Sequence, residues 1–435
     1  MAGLLERYFE LRELGTDVRT ELLAGLTTFL TMSYIVFVNP SILADAGLPA
    51  AGVTAATCLA AAAGSLGMGL WARRPIALAP GMGINAYFTY GVVLGMGVPW
   101  QTALGAVFVS GAVFLLLTGV GVRQRLLEAI PPQLYQATAA GIGLFLALIG
   151  LRNAGLIQAS EATLVTLGDL GAPATLLSIG GLLAIAAMLA WGVRAAMLLG
   201  ILGATAAAVG AGVAHWQPGS FDFTALGETV FALDIADALE LGLLEIIFVF
   251  LFVDFFDSVG TILAVATRAG MVDEDGKIPR IGRMLTVDAS ATMVGALAGT
   301  STTTCYIESA AGVAVGGRSG LTAVVVGLLF LLALPLAPLI GLIPAAATAP
   351  ALILVGSMMA ASLREIDWDD VSVSVPAFLI LLTIPLTYSI ANGLAIGFLA
   401  HDALQILTGR GGRVPWMTHG LAALFLARFI WLATG

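Results

Sequence analysis

The chain has 435 residues, 59% of them hydrophobic and only 10% charged, where a soluble domain carries roughly 25% charged residues. So few charges cannot cover a water-facing surface of this size, so lipid is the solvent for most of the chain. A net charge of −9 with no Lys/Arg cluster argues against nucleic acid as a partner, and two cysteines, Cys58 and Cys305, are too few for a disulfide framework or a CxxC zinc site.

Residues 1–20 mix Arg7, Arg12 and Arg19 with Glu6, Glu10, Glu13 and Asp17. They lack the apolar core and small residues of a cleavable signal and read as a cytoplasmic lead-in. A crossing helix needs about 20 apolar residues. Twelve runs of that kind follow, near 21–43, 52–71, 100–120, 131–150, 174–192, 195–213, 243–266, 282–299, 320–334, 344–362, 373–390 and 391–408. Two further segments, 75–96 and 300–317, differ from these. Pro75 to Pro80 is an extended run closed by prolines, and Gly81-Met-Gly-Ile-Asn85 then starts a helix. Thr300 to Thr304 is a Ser/Thr run that favours a strand, and a short helix of small residues follows Tyr306 and Glu308. Each is expected to be a strand plus half-helix, and such backbone survives at membrane depth only where it lines a covered cavity.

Asn85 and Glu308 occupy corresponding places in these two segments, about half a chain apart. Paired broken segments in two halves mark a transporter built from inverted repeats. The predicted fold is therefore an all-α polytopic membrane protein of fourteen segments, as two inverted seven-span repeats. With the N-terminus inside, Arg73/Arg74, Arg123/Arg125, Arg194, the Arg268–Arg283 loop with Lys277 and Arg280, Arg318, Arg364 and Arg410/Arg413 all fall on the cytoplasmic side. Arg152 alone falls outside, with the 213–240 loop that carries Asp222, Glu228, Asp234 and Asp237. This obeys the positive-inside rule and predicts a multi-pass plasma (inner) membrane protein with both termini cytoplasmic. Residues 411–435 border an apolar stretch with Trp416, His419, Arg428 and Trp431 and are expected to lie in the interface, with a crossing as the alternative.

The eighth span carries Asp254, Asp257, Ser258 and Thr261 at i, i+3, i+4, i+7, on one helical face. A mid-membrane aspartate costs about 3 kcal/mol on insertion scales, so two on one stripe point to a polar pathway; the plainer reading is a hydrogen bond between helices. Glu308 stands in the first turn of its half-helix, where the dipole favours a carboxylate; it could equally be a cap. Asn85 could likewise satisfy only its own broken backbone. Asp288 and Asp402 read as structural. Gly81-x-Gly83-x-x-Ala86 mimics a dinucleotide turn but lacks the acid about 20 residues on, and no nucleophile elbow or metal motif is present. A site of acids, amide and aromatics without Lys or Arg suits a planar neutral ligand rich in N–H donors and would repel an anion.

Four motifs in order, Gly25–Pro40, Ala79–Phe88, Phe252–Thr261 and Thr302–Val313, resemble the AzgA-like purine permeases of the nucleobase/ascorbate transporter superfamily. The resemblance runs from about residue 15 to 410. It implies import of hypoxanthine, guanine or adenine by proton symport with an elevator mechanism, no enzymatic activity, and no cofactor or metal. Sodium is left open as the coupling ion, and there is room for a homodimer. It implies a core domain of residues 21–128 and 240–335 and a gate domain of 129–239 and 336–410. By analogy Asn85, Asp254, Glu308 and Tyr306 bind substrate, while Asp257, Asp254 and Glu308 couple protons. Cys305 stands where many relatives have Thr. The alternative is an anion transporter of the same architecture, like the sulfate-permease group, which the acidic site disfavours.

Overall fold

In lipid every backbone polar group needs an internal partner, so spanning segments are helical wherever composition allows. The computed structural model describes residues 2–120, 131–214, 227–240, 243–273, 277–335 and 343–434. Arg123, Arg125 and Asp222, used above for the charge pattern, lie outside them. The amphipathic lead-in is α1 (Ala2–Tyr8). The first two spans are α2 (Val18–Met32) with α3 (Ile35–Asp45), then α4 (Ala50–Gly67) continued by a π-helical turn. The third is β1 (Leu78–Pro80), α5 (Met82–Ala86) and a π-helical stretch, Tyr87–Gly95. Four helices complete the first half: α6 (Trp100–Val120), α7 (Pro132–Asn153), α8 (Pro173–Ala190) and α9 (Ala196–Gly210). After a short α10 (Ile235–Ala238) the second half repeats the order. It runs α11 (Leu244–Arg268), α12 (Ile281–Ala298), β4 (Thr303–Cys305) with α13 (Ser309–Ala314), α14 (Gly320–Ala333), α15 (Ala345–Met359), α16 (Val371–Thr387) and α17 (Ile390–Leu407). The fourteen-segment, seven-plus-seven architecture is as the sequence predicts.

Strands β1 and β4 pair antiparallel, Leu78 with Cys305, Ala79 with Thr304 and Pro80 with Thr303. Corresponding elements of two oppositely oriented repeats meet this way about a local two-fold axis. Every residue of both strands is buried. Gly81 N–H donates to Thr302 O and Tyr306 N–H to Ala77 O, each at 2.9 Å. Ser65 Oγ accepts from Leu78 N–H at 2.9 Å and Ser309 Oγ from Ala77 N–H at 3.0 Å. These bonds satisfy the broken backbone internally, as membrane depth demands.

Two details differ from expectation. The first span is interrupted at Ser33–Tyr34, where hydroxyls of Thr31 and Ser33 take up carbonyls of the preceding turn. An exposed hairpin, β2 (Ile157–Ser160) with β3 (Leu164–Leu167), occupies the loop after α7. The tail is helical, as the sequence leads one to expect: α18 (Trp416–Thr434).

Packing groups the chain into two units, Met1–Gly119 with Gly150–Ala351, and Val120–Ile149 with Leu352–Gly435. In the first, α4 and α14 meet through glycine: a Cβ on Gly320 would lie 2.1 Å from Gly69 O, and one on Gly69 would lie 2.5 Å from Gly320 O. On the side assigned to the cytoplasm, Glu10 pairs with Arg73 (3.0 Å) and Arg280 (2.9 Å). On the opposite side, Phe231 N–H donates to Leu297 O and Asp234 N–H to Gln101 O. Arg152, the lone external cation of the charge pattern, stacks over Tyr90, whose hydroxyl donates to Asp45. Segments that the threading puts on one side thus contact one another. In the second unit Gly143 and Gly356 bring α7 and α15 together, and α18 packs along α17.

Candidate functional site

The two half-helices begin beside the paired strands, and α11 passes them unbroken. Glu308 is the N-cap residue of α13 in helical conformation, yet its side chain caps nothing. Its Oε1 instead accepts the Tyr34 hydroxyl at 2.7 Å. The capping reading therefore does not describe this carboxylate. Glu308 is partly accessible, as is Asp257, and the two lie within electrostatic reach.

Asp254 is 1% exposed; Oδ2 accepts from Thr292 Oγ1 at 3.0 Å. The sequence leaves Asp288 outside the site. The structure buries it completely within electrostatic reach of Asp254, with Cys305 Sγ 3.4 Å from its Oδ1. Neither Asp254 Oδ1 nor Asp288 Oδ2 accepts a hydrogen bond among the described residues. An ionisable residue in an apolar span is by default a functional candidate, and that signal, applied to α12 as it was to α11, finds Asp288. Ser258 and Thr304 share a hydrogen bond at 2.7 Å beside this pair.

Asn85 is fully buried and engaged at both ends of its amide. Its Nδ2 donates to Asn39 Oδ1 and its Oδ1 accepts from Ser301 Oγ. Asn39 in turn donates to Thr57 Oγ1 (2.7 Å) and Thr300 Oγ1 (2.9 Å). Asn85 thus ties the two broken segments to α3 and α4. The Tyr306 hydroxyl donates to Pro80 O at 2.6 Å, stitching the strand pair. Of the five residues singled out by sequence, Glu308 and Asp257 keep accessible surface, and Asn85, Asp254 and Tyr306 are closed inside the protein. Aromatic rings gather on α11 and the third span, with Phe250 against Tyr87 and Phe88, and Phe252 against Phe256.

Among the described residues no group of three His, Cys, Asp or Glu side chains could hold a metal ion. The arrangement offers carboxylates, hydroxyls and rings, suited to holding a polar planar molecule and moving protons.

The model of the Permease family matches residues 19–396. The adenine permease AdeP of Escherichia coli (strain K12) is 45% identical over 430 residues, covering 99% of this chain and 97% of that protein. The guanine/hypoxanthine permease PbuG of Bacillus subtilis (strain 168) is 44% identical over 440 residues, covering 98% and 100%. Among solved structures, the transmembrane domain of a cyanobacterium bicarbonate transporter, BicA, superposes with a TM-score of 0.65 at 16% identity, covering 86% of this chain and 97% of that one. The murine anion transporter Slc26a9 in its inward-facing state gives 0.67 at 12% identity, covering 94% and 72%. These two likenesses carry the fold. The chain is a transporter and not an enzyme, and it belongs to the Permease family, within the AzgA-like permeases of the nucleobase/ascorbate transporter superfamily.

Proposed function

We propose that the chain imports a purine nucleobase, hypoxanthine, guanine or adenine, by proton symport. The observation that carries this reading is the pair of accessible carboxylates, Glu308 at the head of a half-helix and Asp257 on α11 within electrostatic reach of it, backed by the enclosed pair Asp254 and Asp288. No Lys or Arg occurs in 82–95, 244–267 or 299–317, so an anion finds no counter-charge there. A neutral base edge rich in N–H donors pairs with carboxylate oxygens, and its faces suit neighbouring rings. Relatives similar over nearly their whole length, an adenine permease and a guanine/hypoxanthine permease, support the same substrate class. The sulfate-permease-like alternative shares the architecture but not this chemistry.

Glu308 then meets the substrate first, and Asp257 serves proton coupling within electrostatic reach of it. A proton is the cheapest ion for membrane-buried carboxylates to carry, and two acids as close as Asp254 and Asp288 repel when both are charged, a cost that one shared proton removes. Asn85 and Tyr306 contribute by fixing the half-helices and strands around the ligand. Translocation proceeds by an elevator movement of the core, residues 21–128 and 240–335, against the gate, 129–239 and 336–410.

Uptake of labelled hypoxanthine, guanine, adenine, uracil and sulfate in a transport-deficient host tests the reading. Saturable purine uptake that a protonophore abolishes supports it. Sulfate uptake without purine uptake overturns the substrate class, and indifference to protonophore with a strict sodium requirement overturns the coupling ion.

A further inference from the structure

We infer that Tyr34 is a positioning residue for Glu308, holding one carboxylate oxygen so that the other is presented to the substrate; this rests on the substrate role proposed for Glu308. The amides of α13 do not fix this side chain, because Glu308 makes no capping bond to them. The hydroxyl that reaches Oε1 comes from a residue 274 positions away. Tyr34 is only 2% exposed and sits at the break between α2 and α3, so its ring is locked in place. Among the described residues, Asp257 and Tyr306 also lie within electrostatic reach of Glu308.

The hydroxyl is not needed to pack α13 on α2. That contact is made by backbone, since a Cβ on Gly312 would lie 2.7 Å from Ala24 O and closer still to Thr28 Oγ1. The same short stretch of the first span also carries Asn39, which holds the amide of Asn85. One element therefore positions the heads of both half-helices, one by a tyrosine and one by an asparagine.

Tyr34→Phe keeps the ring and removes only the donor. Titration of hypoxanthine, guanine and adenine into the purified parent first tests the underlying permease reading. Tyr34→Phe is then expected to bind the parent's preferred base about tenfold more weakly and to displace the pH profile of uptake. In a Glu308→Gln background the same change should cost little more, because the two residues act as a unit. Parent-like affinity and pH profile in Tyr34→Phe, or losses that simply add in the double variant, would overturn the inference. Comparison of the double variant with Glu308→Gln alone decides between coupling and simple addition even if Tyr34→Phe lowers stability.

The structure also assigns α18 a place across the membrane alongside α17, in place of the interfacial position expected from sequence. Three contacts fix its direction: His419 pairs with Asp402, Phe425 with Phe398, and Arg428 donates to Asn392 Oδ1. Ascending positions on α18 meet descending positions on α17, so the helices run antiparallel along most of their length. A helix lying in the interface would instead cross a spanning neighbour at one end. Composition agrees. An interfacial helix needs a polar face for water, yet the exposed positions between 420 and 430 are Gly420, Ala423, Leu424, Leu426, Ala427 and Ile430. Its strongly polar side chains, His419 and Arg428, are those that face α17. Nineteen residues extend about 28 Å at 1.5 Å per residue, close to the hydrocarbon thickness of about 30 Å.

The occupant of that exposed face is then lipid, and residues 412 and 434 lie on opposite sides of the membrane. Single cysteines Gly412→Cys and Thr434→Cys can be read in the native background because Cys58 and Cys305 are buried. With an impermeant maleimide on intact cells, one position should label at once and the other only after permeabilisation. Labelling of both from the same side overturns the crossing.

Discussion

Glu21 Oε2 accepts both the hydroxyl and the backbone N–H of Thr322, at 2.6 and 3.1 Å. The other oxygen accepts the N–H groups of Arg318 and Ser319. One fully buried carboxylate at the start of the first span thus satisfies orphan amides at the start of α14, where the helix dipole also favours it. Glu21→Ala leaves several buried donors unpaired, and we expect a loss of about 2–4 kcal/mol. A clear fall in Tm of the detergent-purified protein checks this; an unchanged Tm would show that water replaces the carboxylate.

Glycine is required where α4 and α14 touch. Gly320→Ala would drive a methyl group into Gly69 O and the Arg73 Cα, both backbone atoms. Overpacking of this kind costs about 1–3 kcal/mol. A Tm drop comparable to that of Glu21→Ala is expected, whereas Gly203→Ala, where a Cβ meets nothing, should be neutral or slightly stabilising.

Within the site, Glu308→Gln removes the charge and adds a donor facing the base edge. Affinity for the purine should fall roughly tenfold to a hundredfold, about 1–3 kcal/mol. Asp257→Asn should spare equilibrium binding more than it spares accumulation, since coupling matters only when protons must be carried. Calorimetric titration paired with proteoliposome uptake separates the two. Parent-like purine binding by Glu308→Gln would remove Glu308 from the site.

The N-terminal strap should respond to acid and salt. Glu10, Arg73 and Arg280 form one ion cluster, and all three have left-handed backbone conformations. The hydrogen bond from Arg280, with help from Arg73, holds the Glu10 carboxyl below its ordinary value of 4.5. Its contribution is therefore present above that value and is lost as pH falls through the lowered one. Because the partners are partly exposed, the effect stays within about 1 kcal/mol and weakens in salt. Hydrogen exchange of the amides at Leu11 to Gly15 should quicken in acid or in Glu10→Gln; equal protection in both would show that apolar packing alone holds the strap.

Orientation is checked separately. A cysteine at Asp237 should label from outside in intact cells and one at Arg283 only after permeabilisation; the reverse would invert the threading.

The sequence by itself determined the solvent, the fourteen spans and the two places where helix gives way to strand. These follow from local causes: the length of an apolar run, prolines at 75 and 80, and a Ser/Thr run from 300 to 304. It also marked Asn85, Asp254, Asp257 and Glu308, because a polar side chain in an apolar span is costly wherever the span packs. It could not say which of them stay accessible. That depends on which helices become neighbours, and only the tertiary structure decided it. Folding brought Asn39 and Ser301 onto Asn85 and closed it. Folding set Asp288 against Asp254, making a pair of what reads in sequence as an isolated structural acid. It left Glu308 open on one side, with Tyr34 on the other. The tail shows the same division: its apolar content is written in the sequence, but only the antiparallel contacts with α17 give it a direction, because a helix without a neighbour has none.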